Sequence, residues 1–149
     1  MTEWFQERQA IERECEKLVI AFCNHNDARD YDALANLFTE DGVFARPSDP
    51  SNPIKGRANI RERFSAKPRE LLTRHLTTNI LITVESRESA RGVSYMTLFT
   101  GQEPAGAKLP VPASPAVQIG QIASRFVRTV HGWRIAEHMG SLALTYGTK

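Results

Sequence analysis

Apolar side chains recur at helical spacing near the start of the chain and at strand spacing after residue 68. Ile11, Cys15, Leu18, Val19 and Phe22 stand at i, i+4, i+7, i+8 and i+11, one stripe of a helix predicted over residues 9–24. Glu12, Arg13, Glu16 and Lys17 fall largely on the opposite, solvated side. Asn24, His25, Asn26 and Asp27 follow; their short polar side chains compete for backbone hydrogen bonds and favour a helix end. A second, short helix is expected over residues 30–38, with Asp30 as its N-cap and Tyr31, Leu34, Leu37 and Phe38 on its apolar side. Glu40-Asp41-Gly42 reads as a turn and Val43-Phe44-Ala45 as the start of a strand. Pro47, Pro50 and Pro53 predict an exposed loop, and residues 58–65 a third helix with Ile60 and Phe64 on one face.

Beyond Pro68 the period becomes two. Leu72, Leu76, Ile80, Ile82 and Val84 are expected on one strand face, and Thr73, His75, Thr77, Asn79 and Leu81 on the other. Further strands are predicted over residues 90–100, 117–130 and 133–144, the last two joined as a hairpin by His131-Gly132. Residues 101–116 carry Pro104, Pro110, Pro112 and Pro115, a loop long enough to serve as a pocket lid, a partner contact or a hairpin tip. The order of elements predicts an α+β fold: a curved antiparallel sheet wrapped around three N-terminal helices and enclosing a pocket.

Composition narrows the partners. At 149 residues, 41% hydrophobic and 24% charged, the chain reads as one globular domain over residues 1–149. The net charge is +2 and Lys and Arg are scattered rather than striped, which argues against nucleic acid. No stretch approaches a membrane span and the N-terminus lacks a cleavable apolar leader, so no membrane partner and a cytoplasmic location are expected. Cys15 and Cys23 would lie ~12 Å apart along one helix, too far for a disulfide, and read as core thiols of a reducing compartment.

Candidate chemistry rests on few residues. There is no glycine-rich phosphate loop after a strand, no Gly-x-Ser-x-Gly and no His-Glu-x-x-His, so neither a cofactor nor a metal is expected. The pair to consider is Asp27 and His75. A histidine exchanges protons near neutral pH, and a carboxylate on its far nitrogen fixes the tautomer.

The stretch Asp27-x-x-Asp30-Tyr31-Asp32-x-Leu34-x-x-Leu37-Phe38-x-x-Asp41-Gly42-Val43-Phe44 resembles the helix–elbow–strand signature of SnoaL-like proteins. These belong to the superfamily of nuclear transport factor two, ketosteroid isomerase and scytalone dehydratase. Gly56-Arg57-x-x-Ile60 resembles the usual entry to the third helix. Arg74-His75-x-x-x-Asn79 is similar to a central-strand motif of scytalone dehydratase and of aromatic-ring dioxygenase β subunits. The resemblance spans roughly residues 8–145 and implies a cone-shaped α+β barrel, usually a homodimer through the outer sheet face, with a deep pocket.

It also implies that Asp27 and His75 act together in removing a proton next to a carbonyl. The expected function is a lyase or an isomerase/cyclase acting on a polycyclic or aromatic carbonyl compound. Two alternatives remain. One is a non-catalytic binder of a small apolar ligand, or an accessory subunit like the dioxygenase β chains. The other is an interaction module using the Pro-rich loop. Tyr31, Phe44, Asn79, Tyr95 and His138 are the pocket candidates. The chain departs from the dehydratase pattern where Asn26 replaces the tyrosine before the elbow aspartate. It departs again on the 90–100 strand, which holds Tyr95 but no histidine.

Overall fold

The first helix runs past its apolar stripe at both ends. In the computed structural model, which describes residues 2–147, α1 spans Glu3–Asp27 and is opened by Thr2, whose hydroxyl accepts from the Phe5 N–H at 3.3 Å. Residues 1, 148 and 149 of the expected domain lie outside the described residues. The stripe of Ile11, Cys15, Val19 and Phe22 is buried, and α1 packs chiefly on β3 (Leu71–Val84). Asp30 caps α2 (Tyr31–Ala35) by accepting from the Ala33 N–H at 3.1 Å. The third helix, α3 (Arg57–Ser65), buries Ile60 and Phe64 as its spacing predicts.

The strands β1 (Phe38–Arg46), β2 (Asp49–Lys55), β3, β4 (Ser89–Gln102), β5 (Val117–Thr129) and β6 (Gly132–Tyr146) form one sheet in the order β2-β1-β6-β5-β4-β3. Every pairing is antiparallel except β1 with β6. The fold is α+β, with the N-terminal helices packed against this sheet. Phe38, Phe64, Phe126, Leu34, Ile60 and Ile135 are the large side chains at its centre.

Four local expectations are corrected. The Pro-containing segment after β1 is a strand rather than a loop; β2 is an edge strand, where a missing N–H costs little. The second helix stops at Ala35 because Phe38 already pairs with Ile135 of β6. Asp41-Gly42 does not end an element. It lies in a register irregularity inside β1, where a side chain at Gly42 would come within 2.9 Å of Phe38 Cβ.

In β3 the alternation changes sign. Asn79 has φ +53° and inserts one extra residue between the Thr78–Tyr95 and Leu81–Val93 pairs. Leu72 and Leu76 therefore do not share a face with Ile80, Ile82 and Val84, which pack on the core while Leu76 is exposed. The loop between β4 and β5 folds back on β4 and on the residue that leads into β3. Ser114 N–H donates to Thr100 O at 2.7 Å, Glu103 N–H to Glu70 O at 2.7 Å, and none of residues 103–116 lines the cavity described next.

Candidate functional site

The polar elbow is a helix C-cap with a defined geometry. Arg29 adopts φ +58° just beyond α1, its N–H donates to Asn26 O at 3.1 Å, and Asp30 N–H reaches back to His25 O at 2.9 Å. This is the paired hydrogen-bond pattern of a left-handed terminator, with arginine at the position usually held by glycine. The Arg29 guanidinium donates to Leu71 O at 3.1 Å and to Glu103 at 3.3 Å, tying the elbow to β3 and to the residue that follows β4. The cap fixes the last turn of α1, and that turn presents Asn26 and Asp27 to β3.

Alternation along the first half of β3 sends Leu71, Thr73, His75 and Thr77 to the same side. Thr73 and His75 therefore converge on Asp27. Thr73 Oγ1 donates to Asp27 Oδ1 at 2.9 Å, the His75 backbone N–H to Oδ2 at 2.8 Å, and His75 Nδ1 lies 2.6 Å from Oδ1. Burial alone would raise the Asp27 carboxyl. The bonds from the His75 ring and backbone, the charge of the ring and the Thr73 hydroxyl together outweigh it and hold the carboxyl below its ordinary value.

On the other side of the ring, Lys67 Nζ donates to Asn26 Oδ1 at 2.8 Å, and Asn26 Nδ2 sits 3.5 Å from His75 Nε2. An ammonium can only donate, so the Asn26 oxygen faces Lys67 and its NH2 faces the histidine. The neutral ring then carries its proton on Nδ1, toward Asp27, and its Nε2 lone pair faces the Asn26 NH2 across 3.5 Å, the outer limit of a hydrogen bond.

The His75 ring lines a cavity of about 530 Å³, within the range of small-molecule sites. Its apolar wall includes Phe22, Phe44 and Phe64, whose ring centroids are 5.2 to 5.8 Å apart, together with Met96 and Ile122. Arg46, Arg63 and Lys67 line the same cavity and supply its charge. The Lys67 ammonium lies 4.5 Å from the Phe64 ring centroid. Burial, then the neighbouring Arg46 charge, pulls it down to about 8 against the attraction of Asp27. Burial and the Arg63 charge likewise lower Arg46, opposed by Asp49.

The sequence-predicted residues distribute unevenly. Asp27 and His75 meet; Phe44 and His138 line the cavity. His138 is a buried part of the cavity wall, 2% exposed and 4.6 Å from the Phe22 ring, and shares a 2.8 Å hydrogen bond with Ser124 through Nδ1. Burial pushes it down to about 3, so it is a neutral packing and hydrogen-bonding group. A register shift in β6 opposite Arg125 and Phe126 turns it inward.

Tyr31, Asn79 and Tyr95 do not line the cavity. Tyr31 packs on Phe64 at 6.1 Å, Asn79 serves the β3 bulge, and strand alternation puts Tyr95 on the outer face of β4, 55% exposed. Cys15 and Cys23 are buried free thiols, raised to about 12 by burial and then by the nearby Glu14 and Asp27 charges respectively.

Sequence reasoning missed Thr73 and Lys67. Thr73 was legible as the partner of His75 two residues along the strand. Lys67 was not, because it follows the end of α3 in an irregular segment with no periodicity to orient it. Among the described residues no group of three or more His, Cys, Asp or Glu is placed to hold a metal, and no helix is long and apolar enough to cross a membrane.

The SnoaL-like domain family matches residues 7–138. No curated protein matches the chain. Among solved structures, a candidate scytalone dehydratase from Novosphingobium aromaticivorans superposes with a TM-score of 0.77 at 19% identity, over 97% of this chain and 93% of that one. A Mycobacterium tuberculosis protein of unknown function gives a TM-score of 0.76 at 26% identity, over 96% and 77%. A type-3 hexachlorocyclohexane dehydrochlorinase from Novosphingobium barchaimii gives 0.76 at 15% identity, over 94% and 91%. The first and third are similar to this chain in fold.

Proposed function

The chain belongs to the SnoaL-like domain family, and on that premise we propose that it is a cofactor-independent lyase or isomerase that moves a proton on an aromatic or polycyclic carbonyl compound. His75 is the base and Asp27 orients it. The observation that carries this reading is the ordered set of hydrogen bonds from Lys67 through Asn26 and His75 to Asp27. It leaves an unprotonated Nε2 at a mostly apolar cavity wall, held only by a long 3.5 Å amide contact that an incoming substrate proton displaces, and an ionised carboxylate behind the ring. When Nε2 takes a proton, the new positive charge forms 2.6 Å from Asp27 Oδ1, where the carboxylate stabilises it.

Return of the proton to a second carbon gives an isomerase. Loss of a leaving group from the adjacent carbon gives a lyase, the kind of step that the dehydratase and dehydrochlorinase names of two structural neighbours denote. A homodimer through the outer sheet face belongs to the same proposal. The exposed Leu76, Leu81, Val93, Tyr95 and Phe99 on β3 and β4 support it.

The test is α-proton exchange of 1-tetralone and related bicyclic aryl ketones in D2O, followed by NMR. The wild-type protein is expected to exchange above the buffer rate, and His75→Ala and Asp27→Asn to lose about 10²- to 10⁴-fold. Exchange by folded His75→Ala at the wild-type rate refutes the assignment and leaves a ligand-binding role for the cavity.

A further inference from the structure

The cavity has a charge imbalance that proton abstraction alone does not require. Arg46 closes β1, Arg63 lies in the last turn of α3, and Lys67 follows that helix. All three line the cavity, on the side where the exposed Ser48, Ala66 and Pro68 mark its opening. Among the described residues no carboxylate comes within 4.0 Å of any of the three. Asp49 and Asp27 act on Arg46 and Lys67 only from farther away, and Asp27 already accepts three hydrogen bonds from β3. Elsewhere on the surface Arg8, Arg13, Lys17, Arg61, Arg87 and Arg125 each face a Glu or Asp. Other cations without a carboxylate partner, such as Lys55, Arg69 and Arg91, lie away from the cavity; what marks this site is that three of them share a lining that, among the described residues, holds no Asp or Glu.

Like charges held together in a partly desolvated site repel one another unless an anion joins them. Two guanidiniums present planar forks suited to a carboxylate, and an ammonium adds a point charge. We propose that the ligand of this cavity is an aromatic carboxylate: its anionic group sits among Arg46, Arg63 and Lys67, and its ring lies on Phe22, Phe44 and Phe64 with its reactive carbon toward His75. The inference rests on the reading above in taking the same cavity as the substrate site, but it concerns binding rather than proton transfer. The hydrogen bond from Lys67 to Asn26 spans the two functions. The cation that receives the carboxylate also orients the amide beside the His75 nitrogen.

The experiment compares 2-naphthoate with 2-naphthamide, a pair matched in shape and differing in charge, by isothermal titration calorimetry at low ionic strength. Wild type is expected to favour the carboxylate by about tenfold or more, with the preference shrinking as salt is added. Arg46→Gln and Lys67→Met should each lower the ratio of the two affinities several-fold, and the double variant should bring it near one. A ratio is insensitive to the fraction of folded protein, so partial unfolding of a variant does not mimic the effect. Equal affinities in wild type, or a preference that survives in the double variant, overturn the proposal. His75→Ala should keep the carboxylate preference while losing exchange. Loss of exchange without any preference would leave the proton-transfer reading intact and remove this one. A preference without His75-dependent exchange would do the reverse.

Discussion

His138 gives the sharpest quantitative expectation, because one buried group ties a strand register to a pH dependence. Its ring is enclosed by Phe22, Phe38 and Phe44, and its one hydrogen-bond partner is the Ser124 hydroxyl. No carboxylate offsets the loss of water, so burial alone pushes it down to about 3 from an ordinary 6.5. The unfolded chain therefore takes up a proton as pH falls through 6.5, while the folded chain refuses it until about 3. The contribution is complete above pH 6.5 and is lost as pH falls toward 3. At about 1.4 kcal/mol per pH unit, the loss between pH 7 and 5 is ~2 kcal/mol, a large share of a typical domain stability.

The perturbation is His138→Asn, whose amide can still meet Ser124 but cannot titrate. Urea unfolding of both proteins at pH 7 and 5 gives four free energies, and their double difference cancels His25, His75 and His131. Asp27, held below its ordinary value, is silent in this window. Wild type is expected to lose ~2 kcal/mol more than the variant on acidification. Equal losses in the two proteins would show that the ring is hydrated or charged in the folded state, and would refute the enclosed, neutral assignment.

Asn79 holds the left-handed conformation that inserts the β3 bulge. Asn79→Val should lower stability by about 1–2 kcal/mol in denaturant unfolding, and Asn79→Gly should leave it nearly unchanged; equal stabilities would dissociate the bulge from the residue. Cys15 and Cys23 should react with a disulfide reagent at neutral pH far more slowly than a free thiol, and at the free rate only in denaturant. Prompt labelling of the native protein would contradict their burial.

The helices, the elbow and the four long strands were legible because each has a clean period or a cap residue. Ile11 to Phe22 can face only one way on a helix, and Asp30 can start α2 because its side chain replaces a missing backbone acceptor. The errors fall where one residue changes the phase. Nothing local distinguishes Asn79 in a bulge from Asn79 in a regular strand, yet that residue moves Ile80, Ile82 and Val84 to the core side. The prolines of β2 signalled a break, but an edge strand tolerates them. Strand position alone suggests Tyr95 for the pocket, whereas its pairing with the exposed Thr78 sets it facing out. Lys67 and Arg46 become partners only after α3 is laid beside β1, a relation that no spacing along the chain encodes.

Asp27 divides its work between two oxygens. Oδ2 takes the backbone N–H of His75 and docks the end of α1 on β3; Oδ1 takes the Thr73 hydroxyl and the His75 ring. An asparagine at this position can keep its oxygen at the Oδ2 place, so the docking bond survives. Its NH2 group then occupies the Oδ1 place, where the threonine hydroxyl can rotate to accept. The imidazole cannot rotate to relieve a donor facing a donor; it must move its proton from Nδ1 to Nε2. That tautomer turns the Asn26 amide and Nε2 into two opposed donors as well, and it leaves no lone pair on the cavity side. Asp27→Asn should therefore retain the fold and lose exchange through a misplaced proton, whereas an aspartate that merely capped a helix would lose stability and leave exchange untouched.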